Sequence, residues 1–308
     1  MSTNGVFWIV TDMDDTLIKH YGNVSERIRN LWNHLSNQAE NCLVVATGQS
    51  YTKVTEKFLA NGLNLPDYIV SNQGTIIYQP KHEIVMKVFA LEPNKVIPIV
   101  NRFLKIGGNE RFIRINALNK IVAYDCEEAR RFYREDPQSN VEFTTDILKF
   151  IQEGRYTKLV LSAPLEIVEE MLTYSAEGVT VFNSGETKYG QEHYYRFEIV
   201  AGNKQRGLKY LLSLWQYMKT HIICLGDEIS DYGLAQVALD NNFRKDCTGY
   251  FAIIDSKAKG NQHLREEVEK EARVLNLEDH LIFAPSVEND GWESAILEWQ
   301  EKIQKSGN

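Results

Sequence analysis

Short apolar runs, each closed by a polar or acidic turn, set the rhythm of the first third of the chain. VFWIVTD (6–12), NCLVVATG (41–48) and DYIVSNQG (67–74) read as strands of the buried type. Between them, residues 25–38 put Ile28, Leu31, Trp32 and Leu35 at the i, i+3, i+4, i+7 spacing of one helical face, and SYTKVTEKFLANG (50–62) reads as a polar helix. Apolar strands separated by short helices predict parallel βαβ units, with functional loops at the C-terminal ends of the strands. The alternation returns later. A helix over 204–218 carries Leu208, Leu211, Leu212 and Trp215, and the strand HIICLGD (221–227) follows it. FAIID (251–255) and HLIFAP (280–285) are further strands. Helices over 262–276 and 291–305 present Leu264, Val268, Ala272 and Leu275, and Ala295, Ile296, Trp299 and Ile303.

The middle of the chain reads differently. Strand-like pieces (EIVMKVF, RFIRI, KIVAYD, YTKLVLSA, VTVFN, YYRFEIVA) often follow one another with no helix between, which predicts antiparallel pairing. Helical stretches begin near Pro93, Glu127, Thr145 and Leu165. The pattern predicts an α+β domain, 81–199, inserted into a Rossmann-like α/β core formed by 1–80 and 200–308.

Composition narrows the function classes. The chain has 308 residues, 43% hydrophobic and 25% charged, with 34 basic against 42 acidic side chains and a net charge of −8. No long Lys/Arg block occurs, which argues against nucleic acid or an anionic membrane as partner and leaves room for a local basic pocket. Cys42, Cys126, Cys224 and Cys247 are scattered, without a CxxC or a nearby histidine cluster, so each reads as a reduced intracellular thiol. No apolar run approaches about 18 residues and no export signal is visible, so a cytoplasmic globular protein is expected. The oligomeric state is not legible in the sequence.

The stretch VTDMDDTLIKH (10–20) crowds three aspartates into four positions at a strand end. A solvated turn is one reading of Asp12, Asp14 and Thr16; a divalent cation beside a phosphoryl group is the other. Phosphate-ester cleavage needs a nucleophile, a proton donor for the leaving group, a cation and donors for the equatorial oxygens. The remaining parts appear in order. Thr47 follows LVVA, where its hydroxyl and the backbone N–H groups around Gly48 could hold a phosphoryl oxygen as a helix begins. Lys204 opens the helix 204–218; alone it is an exposed lysine at the helix end that disfavours cations. Asp227 and Asp231, in LGDEISDYG, follow a buried strand, where a helix N-cap with a first-turn acid is the ordinary alternative. Four weak signals in one order on one sheet edge make a strong one.

DxDxT, an apolar strand ending in TG, a lysine opening a helix, and GDxxxD resemble the four motifs of the haloacid dehalogenase superfamily of aspartate-nucleophile phosphatases, over nearly the whole chain. The short spacing from Asp12 to Thr47 leaves no room for a cap domain there, whereas the long stretch from Thr47 to Lys204 does, which resembles a type IIB cap. PDYIVSNQGTIIY (66–78), TKLVLSA (157–163), VFNSG (181–185) and NKQRGLKYLL (203–212) resemble segments of the sucrose-phosphate phosphatase branch, close to the Cof-type enzymes. The resemblance implies that Asp12 is nucleophile and metal ligand, that Asp14 is acid/base and gives its backbone carbonyl to the metal, and that Asp227, with Asp231 behind it, completes the site. It implies Thr47 and Lys204 on the phosphoryl oxygens, Mg²⁺ as cofactor, and an inserted domain that sets substrate choice. Gln49, Gln205 and Ser230 depart from the arginine, glycine and asparagine usual in the family.

Smaller expectations attach to other residues. Asn72 and Gln73 either meet the leaving group or cap a turn, and Lys158 either touches substrate hydroxyls or lies on a solvated strand face. Asp15 and His20 read as bystanders, and Arg111 and Arg114 as solvated. ETKYGQEHYYR (186–196) reads as an elongated hairpin whose Tyr189, His193, Tyr194 and Tyr195 either stack on a sugar or stabilise the hairpin. The expected partner is a small phosphorylated metabolite, foremost a sugar phosphate. The alternatives are a nucleotide, pyridoxal phosphate or phosphosugar acid as substrate, or a phosphate-binding regulatory protein on the same scaffold.

Overall fold

The strands of the central run are apolar through their middles, and the computed structural model shows why. The chain, described for residues 6–19, 22–118, 120–134, 140–154, 156–173, 178–189, 192–215, 219–257 and 259–306, opens with β1 (Val6–Thr11), α1 (Glu26–Leu35), β2 (Asn41–Ala46), α2 (Tyr51–Ala60), β3 (Tyr68–Ser71), β4 (Ile76–Gln79) and β5 (Ile84–Val88). There follow α3 (Pro93–Lys105), β6 (Ile113–Asn116), β7 (Ile121–Tyr124), α4 (Glu127–Arg134), β8 (Val141–Thr144), α5 (Ile147–Glu153), β9 (Lys158–Ala163), α6 (Leu165–Leu172), β10 (Thr180–Tyr189) and β11 (Glu192–Val200). The chain closes with α7 (Lys204–Ser213), β12 (Thr220–Gly226), α8 (Tyr232–Asn241), β13 (Thr248–Ile254), α9 (Lys259–Leu275), β14 (Leu281–Ala284) and α10 (Gly291–Ser306). Two compact units result, Met1–Lys87 with Lys204–Asn308, and Val88–Asn203.

The first unit is built on an eight-stranded sheet in the order β14-β13-β12-β1-β2-β3-β4-β5. From β14 to β3 all neighbours run parallel, and β4 turns back against β3. Parallel strands covered on both faces have no wet side, so both alternating sets of side chains are apolar between the strand ends. The core cluster joins Ile9, Leu43, Val45 and Ile223 from the strands to Trp32, Phe58, Trp292 and Trp299 from the helices. Ser25 caps α1 by accepting from the Ile28 amide at 3.2 Å, and Ile28, Trp32 and Leu35 turn the predicted face inward. The piece 83–89, placed by its pattern in the insertion, instead supplies the last strand of this sheet, because the three-residue 3₁₀ turn Pro80–His82 leaves β5 no route away from β4. The helix expected over 204–218 ends at Ser213, and 216–218 lie outside the described residues, as does His20.

The inserted unit is the α+β domain expected, with sheet order β10-β11-β9-β6-β7-β8. Its pairs are antiparallel except β7 with β8, which α4 joins as a parallel crossover. Alternation is strict. Ile113, Ile115, Leu159, Leu161, Phe197 and Ile199 pack with residues of α3, α5 and α6, such as Phe103, Ile151 and Met171. Their neighbours Arg114, Asn116, Lys158, Ser162 and Glu198 therefore occupy the opposite face. The 186–196 stretch is the two arms of one hairpin, paired from Gly185 with Arg196 to Tyr189 with Glu192 after a bulge at Asn183–Gly185. The Tyr194 ring packs at a tilt of 41° against that of Phe112, with centroids 4.6 Å apart; the Tyr189 side chain lies outside the described residues. Arg111 is exposed, but Arg114 donates to the Tyr133 hydroxyl at 3.3 Å and lies over the Phe132 ring.

Candidate active site

Register alone gathers the first three candidate positions. β1 lies between β12 and β2, with Thr11 opposite Leu225 on one side and Val45 on the other. The residues just past these strands, Asp12, Asp227 and Thr47, are thereby brought to one sheet edge, at the point where strand order reverses direction. The Asp12 amide still donates to the Leu225 carbonyl at 2.9 Å, which ties the loop to its neighbour.

Glycines then allow close approach at two places. A Cβ on Gly207 would meet Val70 Cγ1 at 2.5 Å and the Gly74 carbonyl oxygen at 3.0 Å, so α7 packs tightly on the end of β3. Lys204, its first residue, is buried by this packing and donates to Asp12 Oδ1 and Asp231 Oδ1, both at 2.6 Å. A Cβ on Gly226 would meet Asp231 Cβ at 2.4 Å, so only glycine lets Asp231 lie under the strand end. Asp231 Oδ2 accepts from the amides of Asp227 and Glu228, both at 3.2 Å. Thr16 donates to Asp227 Oδ1 at 2.8 Å, and Asn261 to the Asp227 carbonyl at 2.7 Å.

The second loop pair is backbone-built. The Asn72 amide donates to the Gln49 carbonyl at 2.9 Å and the Gln73 amide to the Thr47 carbonyl at 3.0 Å. Asn72, Gln73 and Gly74 are successive left-handed residues with φ of 48°, 58° and 89°, a costly run of the kind that clusters at functional sites. Gln73 leans over Gly48, where an added Cβ would meet its Nε2 at 2.6 Å. Thr47 and Asn72 are buried here; Thr47 Oγ1 accepts from the Gln49 amide at 3.2 Å.

The acids at 12, 14 and 15 separate. Asp15 takes φ 57° in the tight turn in which its amide donates to the Ile18 carbonyl, a conformation aspartate tolerates better than most residues. Asp14 turns to α2, accepting from Gln49 Nε2 at 2.5 Å and pairing with Lys57 at 2.8 Å. Its carboxylate is not part of the cluster of Asp12, Asp227 and Asp231, whose ligand oxygens all lie within 4.8 Å of one another. Lys158, in the inserted unit, is not solvated: it is buried and pairs with Glu198 of β11 at 3.1 Å. The departure at Gln205 is matched across α8 by Gly233, where a Cβ would meet Gln205 Cβ at 2.8 Å. Lys57 and Asn261 carry no sequence signal, since each reaches its partner through the fold from within an ordinary helix.

Electrostatics follow from burial. Three carboxylates face one ammonium, a surplus of two negative charges in a dry place. Burial pushes Asp12 well above the usual carboxylate range, and Lys204 pulls it back. Burial tends to strip the proton from Lys204, but Asp12 and Asp231 outweigh that and hold it charged. Such a surplus of hard oxygen donors fits a divalent cation of the Mg²⁺ type. Asp227 is raised from 3.8 to about 7, by burial first and then by Asp231. An acid raised in the folded state stabilises the fold below its unfolded pKa and loses that contribution as pH rises through the folded value. The metal-free protein should therefore lose melting temperature from about pH 4 to about pH 7, and added Mg²⁺ should recover most at the upper end. Melts in EDTA and in Mg²⁺ at pH 5 and pH 8 check this; a flat metal-free profile contradicts it.

The fold recurs among known proteins. A family profile described as haloacid dehalogenase-like hydrolase matches residues 9–239. A crystal structure of a Thermotoga maritima protein superposes with a TM-score of 0.66 at 17% identity, covering 94% of this chain and 96% of that one. A haloacid dehalogenase-like hydrolase from Bacteroides thetaiotaomicron gives 0.65 at 18% identity, over 95% and 99% of the two chains. The subclass IIB sugar phosphatase BT4131 gives 0.64 at 13% identity, over 95% and 98%. An uncharacterized protein of Mycoplasma capricolum is 24% identical over 217 residues, 67% of this chain and 77% of that protein. Fold, strand-end acids and family match coincide, and the chain belongs to the haloacid dehalogenase-like hydrolases.

Proposed function

We propose that the chain is a Mg²⁺-dependent phosphomonoester hydrolase acting on a small phosphorylated sugar through an aspartyl-phosphate. The observation that carries the reading is Lys204 buried between Asp12 and Asp231, with Asp227 completing an acidic trio at the end of β1. Asp12 attacks phosphorus in line, the bond to the ester oxygen breaks, and Asp14 protonates that oxygen. Asp14 then takes a proton from the water that attacks the aspartyl-phosphate, releasing phosphate and restoring Asp12. Lys204 and Thr47, with the Gly48 backbone, hold the phosphoryl oxygens, and Asn72 stands beside the leaving group. Asp12, Asp227, Asp231 and the backbone carbonyl of Asp14 would hold Mg²⁺, which when bound offsets the repulsion between carboxylate and phosphate.

The sugar reading rests on the resemblance of 66–78, 157–163 and 181–185 to the sucrose-phosphate phosphatase branch. The Lys158–Glu198 pair, with Lys158 buried and Glu198 half-buried, also supports it, since both groups suit hydroxyls. With it is proposed a division of labour in which Met1–Lys87 with Lys204–Asn308 is catalytic and Val88–Asn203 selects the substrate, the expected bounds of 81 and 199 moving because β5 belongs to the core sheet. The four cysteines are free thiols, which suits a reducing cytoplasmic setting. No described helix is long and apolar enough to cross a membrane. The test is a panel of sucrose 6-phosphate, hexose phosphates, phosphosugar acids, pyridoxal phosphate and nucleotides, with Mg²⁺ or EDTA. A sugar phosphate should lead by about tenfold or more in kcat/KM, with turnover lost in EDTA. A nucleotide preference would overturn the sugar, and no turnover with any divalent cation would overturn the enzyme.

A further inference from the structure

Asp14 presents a problem that its neighbours resolve. It stands two residues from Asp12, and a fourth carboxylate swinging toward the trio would deepen the charge surplus there. The side chain is instead held from the other side by two residues of the α2 region. Lys57 Nζ donates to Oδ1 at 2.8 Å and Gln49 Nε2 to Oδ2 at 2.5 Å, so each oxygen has its own donor.

Both donors come from a stiff support. Ser50 caps α2 by accepting from the Lys53 amide at 3.4 Å, and Val54 and Phe58 bury the helix on either side of Lys57 in sequence. Gln49 is fixed through its own carbonyl, which accepts from the Asn72 amide. Its side-chain Oε1 is sealed from solvent with no hydrogen-bond partner among the described residues. Turning the amide over would aim that oxygen at the carboxylate, so the orientation is dictated by Asp14 alone. The Lys57 and Asp14 side chains are 30% and 31% exposed, and an ion pair at that exposure contributes little to folding. What the pair fixes is the place and direction of Asp14.

We infer that Lys57 and Gln49 are positioning residues for Asp14, holding its carboxylate toward α2 and apart from the Asp12–Asp227–Asp231 trio, where it exchanges protons with the leaving oxygen and the attacking water. The inference rests on the reading of Asp14 given above. Two cations thus divide the acids, Lys204 taking Asp12 and Asp231, and Lys57 taking Asp14.

A misplaced proton donor hurts basic leaving groups most, because weakly basic ones depart without it. Lys57→Met, Lys57→Arg and Gln49→Leu are therefore compared with wild type on aryl phosphates from p-nitrophenyl to phenyl phosphate, in Mg²⁺. In Lys57→Met, kcat/KM for the nitrophenyl ester should change less than about threefold and that for phenyl phosphate fall about tenfold or more, steepening the dependence on leaving-group basicity. KM should hold steady, Gln49→Leu should steepen the dependence less, and Lys57→Arg should restore it. The melting temperature should stay near that of wild type. A loss equal on every ester, no loss, or failure of arginine to rescue overturns the inference. Absence of Mg²⁺-dependent turnover in wild type, or its persistence in Asp12→Asn, brings down the reading of the site and this inference with it.

Discussion

Asp12→Asn should abolish turnover of every phosphate ester while leaving the fold as firm as before or firmer. An amide in place of the carboxylate keeps the shape and the ability to accept from Lys204 Nζ, 2.6 Å from Oδ1 in the wild type, but it is not a nucleophile toward phosphorus. The expected loss in kcat is about 10³-fold or greater if the proposed aspartyl-phosphate forms on Asp12, because Asp227 and Asp231 are assigned to the cation and Asp14 is held toward α2. Stability should move the other way. Burial is the largest influence on Asp12 and drives it toward the uncharged form, with Asp231 and Asp227 adding to that push. A neutral side chain there relieves the repulsion while losing part of the attraction to Lys204. In EDTA at pH 8 the variant should therefore melt at or above the wild-type temperature. Kinetics, thermal melts, and acid-quench capture of the phosphorylated protein from wild type but not from the variant make the check. Retention of a tenth of the activity would remove Asp12 as nucleophile.

What was legible in the sequence follows from the range over which each residue acts. Asp12, Thr47 and Asp227 stand immediately past apolar runs, and in a parallel sheet the register of adjacent strands carries such residues to one edge without further information. Lys204 was legible by its order in the chain, but its burial was not. That depends on Gly207 packing against Val70 and Gly74, a contact across more than a hundred residues. Lys57 could not be read at all: nothing in a polar helix distinguishes the lysine that meets Asp14 from Lys53 one turn earlier. The solvated alternative for Lys158 fell for a related reason, since strand alternation gives the face on which a side chain stands but not whether Glu198 waits on the next strand. The membership of β5 was decided by a three-residue turn, below the scale of hydrophobic periodicity.

Lys204→Met should produce the largest combined defect, with its sign set by the metal. The ammonium is held charged by Asp12 and Asp231 against the pull of burial. Methionine fills similar space but leaves Asp12, Asp227 and Asp231 facing one another without the cation that pairs with two of them. Losing one side of a buried charge network costs about 3–5 kcal/mol. At about 2–4 °C per kcal/mol for units of this size, the metal-free variant should melt on the order of 10 °C lower at pH 8. At pH 5 the deficit should shrink, because Asp227 is raised to about 7 and is then protonated. With Mg²⁺ the deficit should also shrink, and Mg²⁺ should bind the variant more tightly, because Lys204 no longer competes for two of its carboxylates. The kcat/KM should nonetheless fall about 10²-fold even at saturating metal, since the proposed mechanism then lacks the charge it places on the phosphoryl oxygens. Melts across pH, titration calorimetry with Mg²⁺, and steady-state rates separate these effects. A variant that melts alike with and without metal would mean that Lys204 does not balance the trio, and the charge argument for a cation at the end of β1 would fall with it.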